Sequence, residues 1–260
     1  MAEEKNNEDK NVNSLEYIRN FCNNCTKCEL SKTRTNVVFG KGNKHAKIMF
    51  IGEAPGEKED LQGIPFVGAA GRELDKLLRK INLTLDDVYI ANILKCRPPQ
   101  NRDPNPNEIE LCTPYLIKQM IAIKPQVICT LGNYSTKFIL SGCNPKKMTE
   151  IEGISTLHGK VKKIIFDKFE FKIIPIYHPA AMLYKPGLRT DFEKDFEKIN
   201  EEITKDNIIV RENIVGKKIV EKIVDSEKNI KETKKITKEN NKKSTEIKNK
   251  KNNQKKLFEF

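Results

Sequence analysis

The chain has 260 residues, a net charge of +12 and an apolar content of 37%, which suits one domain followed by a tail. Its amino-terminal stretch is acidic and polar, and no run approaches the roughly 18 uninterrupted apolar residues that a membrane span needs. We therefore expect a soluble intracellular protein with no signal peptide and no membrane partner, and the excess of basic residues favours a polyanionic partner.

Short apolar runs rich in β-branched residues recur along the chain and predict strands. They lie at residues 47–52, 87–93, 126–132 and 172–178. From Leu74 to Ile81, leucine and isoleucine keep the i, i+3, i+4, i+7 spacing of one helix face. Strands that alternate with helices predict an α/β fold of three layers, with a central four-stranded and mostly parallel sheet.

A second helix is expected to begin after Asn105. This residue supplies an N-cap, Pro106 suits the first helical turn, and Glu108 stands where a capping box needs a carboxylate. The helix should continue to about Ile123, with a kink or a restart caused by Pro114.

The pattern of strands and helices ends near residue 204. Before that point, the runs 160–166 and 169–176 predict a hairpin that leads into the last strand. Residues 228–256 carry few large apolar side chains and many lysines and asparagines, a composition typical of disorder. We therefore predict a domain over residues 1–204 and a disordered, basic carboxyl-terminal tail over 205–260.

The ends of the four predicted strands carry polar or glycine-bearing sequence. In open parallel sheets ligands bind at the carboxyl ends of the strands, so Glu53, Asn92, Gly132 and His178 should line one crevice. A lone histidine is more often structural than catalytic, but its place at the same sheet edge as Glu53 favours catalysis.

A long glycine-rich connection over residues 52–71 follows the first strand. It fits neither nucleotide-phosphate motif, because its glycine spacing is wrong and its carboxylates would repel phosphates. Phe66, within this connection, suits the wall of a pocket for a flat ring, although a single phenylalanine is also ordinary core.

Seven cysteines occur, and in a reducing compartment they are better read as ligands or buried thiols than as disulfides. Cys25 and Cys28 form a C-x-x-C pair, and Cys96 and Cys112 flank a proline-rich loop. Four thiolates suit either tetrahedral zinc or a [4Fe–4S] cluster. Only one half of the set is a C-x-x-C knuckle, which favours iron and sulfur over a zinc ribbon.

Four stretches within residues 24–184 together resemble one family. They read NCTKCELSKTRTNVVFGKGN, GEAPGEKEDLQGIPFVGAAG, YIANILKCRPPQNRDPNPNE and YHPAAMLY. The chain resembles the family 4 uracil-DNA glycosylases, which are iron–sulfur enzymes of archaea and bacteria. The resemblance implies a [4Fe–4S] cluster on Cys25, Cys28, Cys96 and Cys112, and it leaves Cys22 spare.

The same resemblance implies a repair enzyme that flips uracil out of single- or double-stranded DNA and hydrolyses its N-glycosidic bond. The implied roles are uracil-anion stabilisation by His178, water orientation by Glu53 and base pairing by Asn92. The remaining substrate-binding residues are Phe66, which stacks on the base, Glu59, which excludes a methyl group at C5, and Ala54, whose amide helps to hold the base. We expect a monomer of the cytoplasm, associated with the nucleoid.

Two further sets of residues are expected to bind macromolecules. After His178, the residues Ala180, Ala181, Met182 and Leu183 suit a small apolar wedge that enters the minor groove and fills the vacated stack. A helix cap with ordinary core side chains is the alternative for Met182 and Leu183. Lys185 and Arg189 would meet phosphates. At the carboxyl terminus, a short segment resembles the peptide that binds the sliding clamp of archaea and eukaryotes. Its candidate residues are Gln254, Leu257, Phe258 and Phe260.

Two alternatives remain open from the sequence. One is a related glycosylase that prefers another deaminated base or forms a covalent adduct with uracil; the adduct-forming relatives carry a histidine in an inserted loop, and this chain has no histidine between His45 and His158. The other is a non-catalytic iron–sulfur module that binds DNA and the clamp, which the joint presence of Glu53, Asn92 and His178 disfavours.

Overall fold

The computed structural model describes residues 14–205. Contacts divide the chain into two units, Met1–Ile203 and Thr204–Phe260, and the fold below is that of the described part of the first. The boundary near residue 204 stays a prediction. The clamp-binding candidates Gln254, Leu257, Phe258 and Phe260 lie outside the described residues, as does the predicted tail after residue 205.

The centre of the fold is one sheet of six strands in the order β1-β3-β2-β4-β6-β5. The strands are β1 (Lys41–Gly42), β2 (Ile48–Gly52), β3 (Val88–Asn92), β4 (Val127–Leu131), β5 (Lys162–Phe166) and β6 (Phe169–Ile176). The four predicted strands are β2, β3, β4 and β6, and they pair in parallel. The predicted count of four is wrong for the whole sheet, because β1 and β5 add an antiparallel strand at each edge.

Besides three short 3-10 helices, the described part of the chain contains nine α-helices. They are α1 (Leu15–Asn23), α2 (Leu30–Thr33), α3 (Glu57–Gln62), α4 (Ala69–Lys80), α5 (Pro106–Ile123), α6 (Asn133–Leu140), α7 (Ile154–Leu157), α8 (Ala181–Tyr184) and α9 (189–205). The predicted capping box of α5 is present between Asn105 and Glu108. The predicted restart at Pro114 is wrong: proline removes one backbone donor, and α5 continues through it as a single helix with much of its surface buried.

Helices cover both faces of the sheet. On β2, Met49 and Ile51 face a core shared with α5 and α6, whereas Ile48 and Phe50 face a core shared with α4 and α9. Alternate side chains of a strand point to opposite faces, so a strand that is buried throughout, such as β2, implies helices on both sides. The three-layer α/β prediction is confirmed. None of the described helices combines the length and apolar character that crossing a bilayer requires.

Candidate active site and cysteine cavity

A cavity of about 390 Å³ opens at the carboxyl edge of the parallel strands, and we call it the strand-end cavity. Its lining consists of Glu53, Ala54, Pro55, Gly56, Glu59, Phe66, Ala70, Asn92, Pro98, Asn101, Arg102, His178 and Ala180. The structure thus brings together all six residues that the sequence proposed for catalysis and base binding. Gly132 does not line it; a Cβ atom there would lie 3.2 Å from Cβ of His178, so this glycine lies against the histidine.

Phe66 and His178 form one wall, with ring centroids 5.8 Å apart. The backbone of Phe66 is left-handed, with φ of 53°, which is uncommon for a bulky residue. Close neighbours fix this arrangement: a Cβ on Gly71 would lie 2.0 Å from the carbonyl oxygen of Phe66, and one on Gly52 would lie 2.8 Å from its ring. Glycine at both positions therefore allows the ring to enter the cavity.

Glu59 is fixed by the backbone that follows Phe66. Its Oε1 accepts hydrogen bonds from the amides of Val67 at 3.0 Å and Gly68 at 2.9 Å. Its other carboxylate oxygen, Oε2, would lie 2.8 Å from a Cβ on Gly56. The carboxylate is consequently held at the cavity wall rather than free to turn into solvent.

Asn92 ends β3 and offers an unused acceptor. The residue is 2% exposed, and its Oδ1 is the one buried side-chain oxygen or nitrogen of the described residues that lacks a hydrogen-bond partner. Leaving a buried acceptor unpaired costs about 1–3 kcal/mol. A ligand with an N–H group at this position would remove that cost, which makes Asn92 the strongest evidence for what the cavity binds.

His178 follows β6 and is neutral with a defined tautomer. Its Nδ1 accepts a hydrogen bond from the amide of Ala180 at 3.3 Å, so the ring proton resides on Nε2. Burial lowers the pKa of His178 to about 4, against a smaller opposing effect of Glu59. At neutral pH the side chain is therefore a neutral donor through Nε2.

Glu53 follows β2 and titrates unusually high for a carboxylic acid. Burial raises its pKa to about 7, and the negative charge of Asp103 adds to the increase. A carboxyl group with this pKa exchanges protons near neutral pH, which suits a general base.

Seven lining residues were not predicted, and among them are Pro98, Asn101 and Arg102. These three residues belong to the proline-rich loop that Cys96 and Cys112 flank. Left-handed φ angles at Gln100 and Asn101 turn the loop into the cavity. Such turns at non-glycine residues have no clear signal in a single sequence.

The same loop is fixed by an ion pair. The guanidinium of Arg102 donates to both carboxylate oxygens of Glu108, at 2.9 and 2.6 Å. Glu108 belongs to the capping box of α5, so Arg102 connects the cavity wall to the helix that carries Cys112.

The residues proposed as a DNA wedge differ sharply in burial. Met182 is only 7% exposed and packs in the core with α4 and α9, and this burial favours the core interpretation for it. Leu183 is 45% exposed, and Tyr184, which the sequence did not single out, is 82% exposed. Arg189 has one guanidinium nitrogen 3.6 Å from the carboxylate of Glu73.

Cysteines surround a second cavity, the cysteine cavity. Its lining consists of Cys22, Cys25, Lys27, Cys28, Ser31, Arg34, Lys95, Cys96, Leu111, Cys112 and Tyr115. All four predicted ligands are present, and so is Cys22. Nitrogen donors point at two of the sulfurs: Nη1 of Arg34 lies 3.2 Å from Sγ of Cys96, and the amide of Lys95 lies 3.2 Å from Sγ of Cys112. Within residues 14–205, no three His, Cys, Asp or Glu side chains are grouped as a single metal-ion site.

Lys95 places a positive charge beside this cavity. It is 1% exposed, and its ammonium group donates to the carbonyl oxygen of Asn92 at 2.8 Å and to Oε1 of Gln119 at 2.6 Å. Both acceptors are neutral, and a buried cation needs a negative charge nearby. An anionic group bound by thiolates in the cysteine cavity would supply it, so the residues present fit such a group.

Comparison with known proteins gives a consistent set of relatives. The model of the uracil DNA glycosylase superfamily matches residues 39–204. A type-4 uracil-DNA glycosylase of Archaeoglobus fulgidus is 50% identical over 190 residues, which are 73% of this chain and 94% of the relative. One from Thermotoga maritima is 40% identical over 196 residues, 74% of this chain and 96% of the relative. A type-5 uracil-DNA glycosylase of Pyrobaculum aerophilum is 26% identical over 164 residues, 57% of this chain and 68% of the relative.

Proposed function

This chain belongs to the uracil-DNA glycosylase superfamily and to its type-4 members, and we infer that it is a DNA-repair hydrolase that excises uracil and leaves an abasic site. The single observation that supports this most directly is the unpaired Oδ1 of Asn92 inside the strand-end cavity. Uracil presents a donor, N3–H, between two carbonyl acceptors, and the amide of Asn92 offers an acceptor and a donor side by side.

Recognition of uracil begins with extrusion of the nucleotide, since a stacked base cannot reach a cavity at the end of a sheet. Asn92 then accepts from N3–H of uracil and donates to its O4. Cytosine has a bare N3 and an amino group at these positions, so both contacts would oppose like groups. Phe66 stacks on the ring, and its fixed backbone keeps the stacking surface in place.

Exclusion of thymine requires a barrier at C5 of the base. Glu59, which the amides of Val67 and Gly68 hold at the cavity wall, is proposed to occupy the space that a C5 methyl group would need. Ala54 also lines the cavity, and its backbone amide is proposed to donate to the base.

Bond cleavage separates N1 of uracil from C1′ of the sugar. The electron pair leaves with uracil, whose negative charge spreads to O2, and the Nε2 proton of neutral His178 stabilises that oxygen. A water molecule adds to C1′ of the resulting oxocarbenium-like sugar and transfers a proton to the carboxylate of Glu53. The uracil anion takes up a proton from solvent and Glu53 releases its proton to solvent, so the products are free uracil and an abasic sugar with a hydroxyl group at C1′.

The rate should depend on pH through Glu53. Because its pKa is raised to about 7, the carboxylate form is lost as pH falls through that value, and excision should slow by about tenfold per pH unit well below it. His178, with its pKa lowered to about 4, stays neutral over this range. Single-turnover rates between about pH 5 and pH 9 test this expectation. A Glu53→Gln variant should be slow and independent of pH; a wild-type profile that is flat near pH 7 would contradict the role of Glu53.

Leu183 and Tyr184 are proposed to fill the space that the extruded nucleotide leaves, whereas the sequence predicted a wedge from Ala180 to Leu183. Their exposure allows it, and Lys185 and Arg189 stand nearby for phosphates. Tyr184→Ala should slow excision from duplex DNA by about tenfold, the value of one stacking contact. Excision from single strands should change little, and Tyr184→Phe should match wild type. Equal losses on both substrates would count against a wedge.

A [4Fe–4S] cluster is proposed for the cysteine cavity, held by Cys25, Cys28, Cys96 and Cys112. When bound, such a group supplies an anionic, redox-active cross-link between segments distant in sequence. The side chain of Arg34 donates a hydrogen bond to the sulfur of Cys96, and the backbone amide of Lys95 donates one to the sulfur of Cys112. The ammonium group of Lys95 would balance the negative charge of the cluster. The site thereby fastens the segment after α1 to both ends of the loop that lines the strand-end cavity.

A non-catalytic DNA-binding module is the alternative from a different class, and a gel assay separates the two. Wild-type protein is incubated with a uracil-containing oligonucleotide, and the strand is then treated with alkali, which breaks it at abasic sites. We expect cleavage at the uracil position. A shifted but uncut strand would favour the binding module.

The sliding clamp is proposed as a second partner besides DNA. We also propose that the protein is a monomer of the cytoplasm, associated with the nucleoid.

A further inference from the structure

We propose that Lys41 is a positioning residue that holds Phe66 in its base-stacking orientation. This inference rests on the proposed function, because it gives Phe66 the role of stacking on uracil. Nζ of Lys41 donates a hydrogen bond to the carbonyl oxygen of Phe66 at 3.1 Å. Lys41 does not line the strand-end cavity, so it acts on the base indirectly, and its hydrogen bond to Phe66 is the contact that we assign to this effect.

Phe66 needs such a restraint because its backbone is left-handed. A bulky residue keeps this conformation only where its surroundings determine it. The carbonyl oxygen is held by Lys41, and the next two amides, of Val67 and Gly68, are held by Glu59. We call Lys41 and Glu59 the Phe66 clamp, since Lys41 binds the carbonyl oxygen of the Phe66–Val67 peptide group and Glu59 binds its amide and the next one.

The position of Lys41 is itself well fixed. It belongs to β1, the two-residue strand that pairs with β3, and it stands opposite Ile90 in the register. The next residue, Gly42, has φ of 108°, and a Cβ there would lie 2.1 Å from the carbonyl oxygen of Val88. Only glycine allows so close an approach of the two strands, so the short strand fixes the backbone position from which the Lys41 side chain reaches Phe66.

The surroundings of Lys41 act on its charge in two directions, and the net effect lowers its pKa. Lys41 is half-buried, and burial lowers its pKa, whereas the negative charges of Asp75 and Glu59 act in the opposite direction. A charged donor to a carbonyl oxygen in a partly dry position makes a stronger hydrogen bond than a neutral one. The Phe66 clamp thus connects strand β1, at the edge of the sheet, to Phe66 in the wall of the strand-end cavity.

A double-mutant cycle between Lys41 and Phe66 tests the Phe66 clamp. Single-turnover excision from a uracil-containing duplex is measured for wild type, Lys41→Met, Phe66→Ala and the double variant. Lys41→Met removes the donor but keeps the aliphatic length, and it should slow excision by about tenfold, the usual loss for a hydrogen bond to a charged donor. In the Phe66→Ala background the same change should alter the rate by less than about twofold, because the group it positions is gone.

Controls make each outcome decisive. Lys44 is an exposed lysine just after β1, and the control variant Lys44→Met should leave the rate unchanged. The inhibition constant of free uracil should rise in Lys41→Met and stay unchanged in Lys44→Met. If Lys41→Met does not fold, Lys41→Gln replaces it, since its amide is too short to reach the carbonyl. The Phe66 clamp would be overturned if Lys41→Met slowed excision equally in the wild-type and Phe66→Ala backgrounds, or slowed it in neither, while the wild-type protein was active. If wild type releases no uracil, the proposed function fails and the clamp fails with it.

Discussion

Replacing His178 by alanine should slow uracil excision by about 100- to 1,000-fold, the usual cost of removing one preorganised donor to a developing oxyanion. The reason is the fixed tautomer: the amide of Ala180 occupies Nδ1, which leaves the Nε2 proton for O2 of uracil. Binding of uracil-containing DNA should change much less, since the donor acts chiefly on charge that appears in the transition state. Single-turnover rates and gel-shift affinities, measured on the same duplex, check both parts.

His45→Ala is the matched control, because His45 is an exposed histidine outside the strand-end cavity. It should keep the wild-type rate. A His178→Ala variant that folds with an unchanged melting temperature and retains more than about a tenth of the wild-type rate would contradict the assigned role.

Loss of a cluster ligand should have the second large effect. Cys25→Ser, Cys28→Ser, Cys96→Ser and Cys112→Ser should each lose most of the bound iron and the broad absorption near about 400 nm that thiolate-ligated iron gives. The stability should fall with the cluster, because the loop between Cys96 and Cys112 loses its anchors and carries Asn101 and Arg102 out of the strand-end cavity. Iron content, absorption and melting temperature measure these losses without reference to activity.

Cys22 supplies the sharpest contrast in that experiment. It lines the cysteine cavity beside the predicted ligands. It is therefore close enough to the site that distance alone does not exclude it as a ligand. It also packs with Ile18, Phe39 and Tyr115 in a small apolar cluster, which is the role we assign to it. Cys22→Ser should therefore keep the iron and lose some stability, by about 1–3 kcal/mol for a buried hydroxyl group. Metal analysis that finds zinc and no iron in wild type, or iron loss in Cys22→Ser, would contradict this assignment.

Much of the fold was accessible from the sequence because its central strands are buried on both faces. Such strands read as continuous apolar runs, and the four runs correspond to β2, β3, β4 and β6. The strand β1 was missed because two residues carry no periodicity, and its formation depends on the close contact of Gly42 with β3. The restart at Pro114 was wrong because tertiary burial of α5 outweighs the loss of one hydrogen bond.

The candidate site was predictable to the extent that it follows strand ends. Glu53, Asn92 and His178 each stand at or just after a parallel strand, and this topology alone brings them to one edge. Met182 could not be placed from sequence, since the direction in which a four-residue helix turns its side chains depends on packing against its neighbours. Arg102 was missed for a similar reason: its ion pair with Glu108 closes a loop whose path no local pattern records.

The identity of the released base tests most directly whether this chain excises uracil. Wild-type protein is incubated with matched duplexes that carry uracil, cytosine or thymine at one position opposite guanine, and free bases are measured by mass spectrometry. We expect free uracil from the first duplex only, because the amide of Asn92 cannot pair with cytosine and Glu59 excludes the methyl group of thymine. Release of no base, or release of thymine or cytosine at rates comparable to uracil, would contradict it.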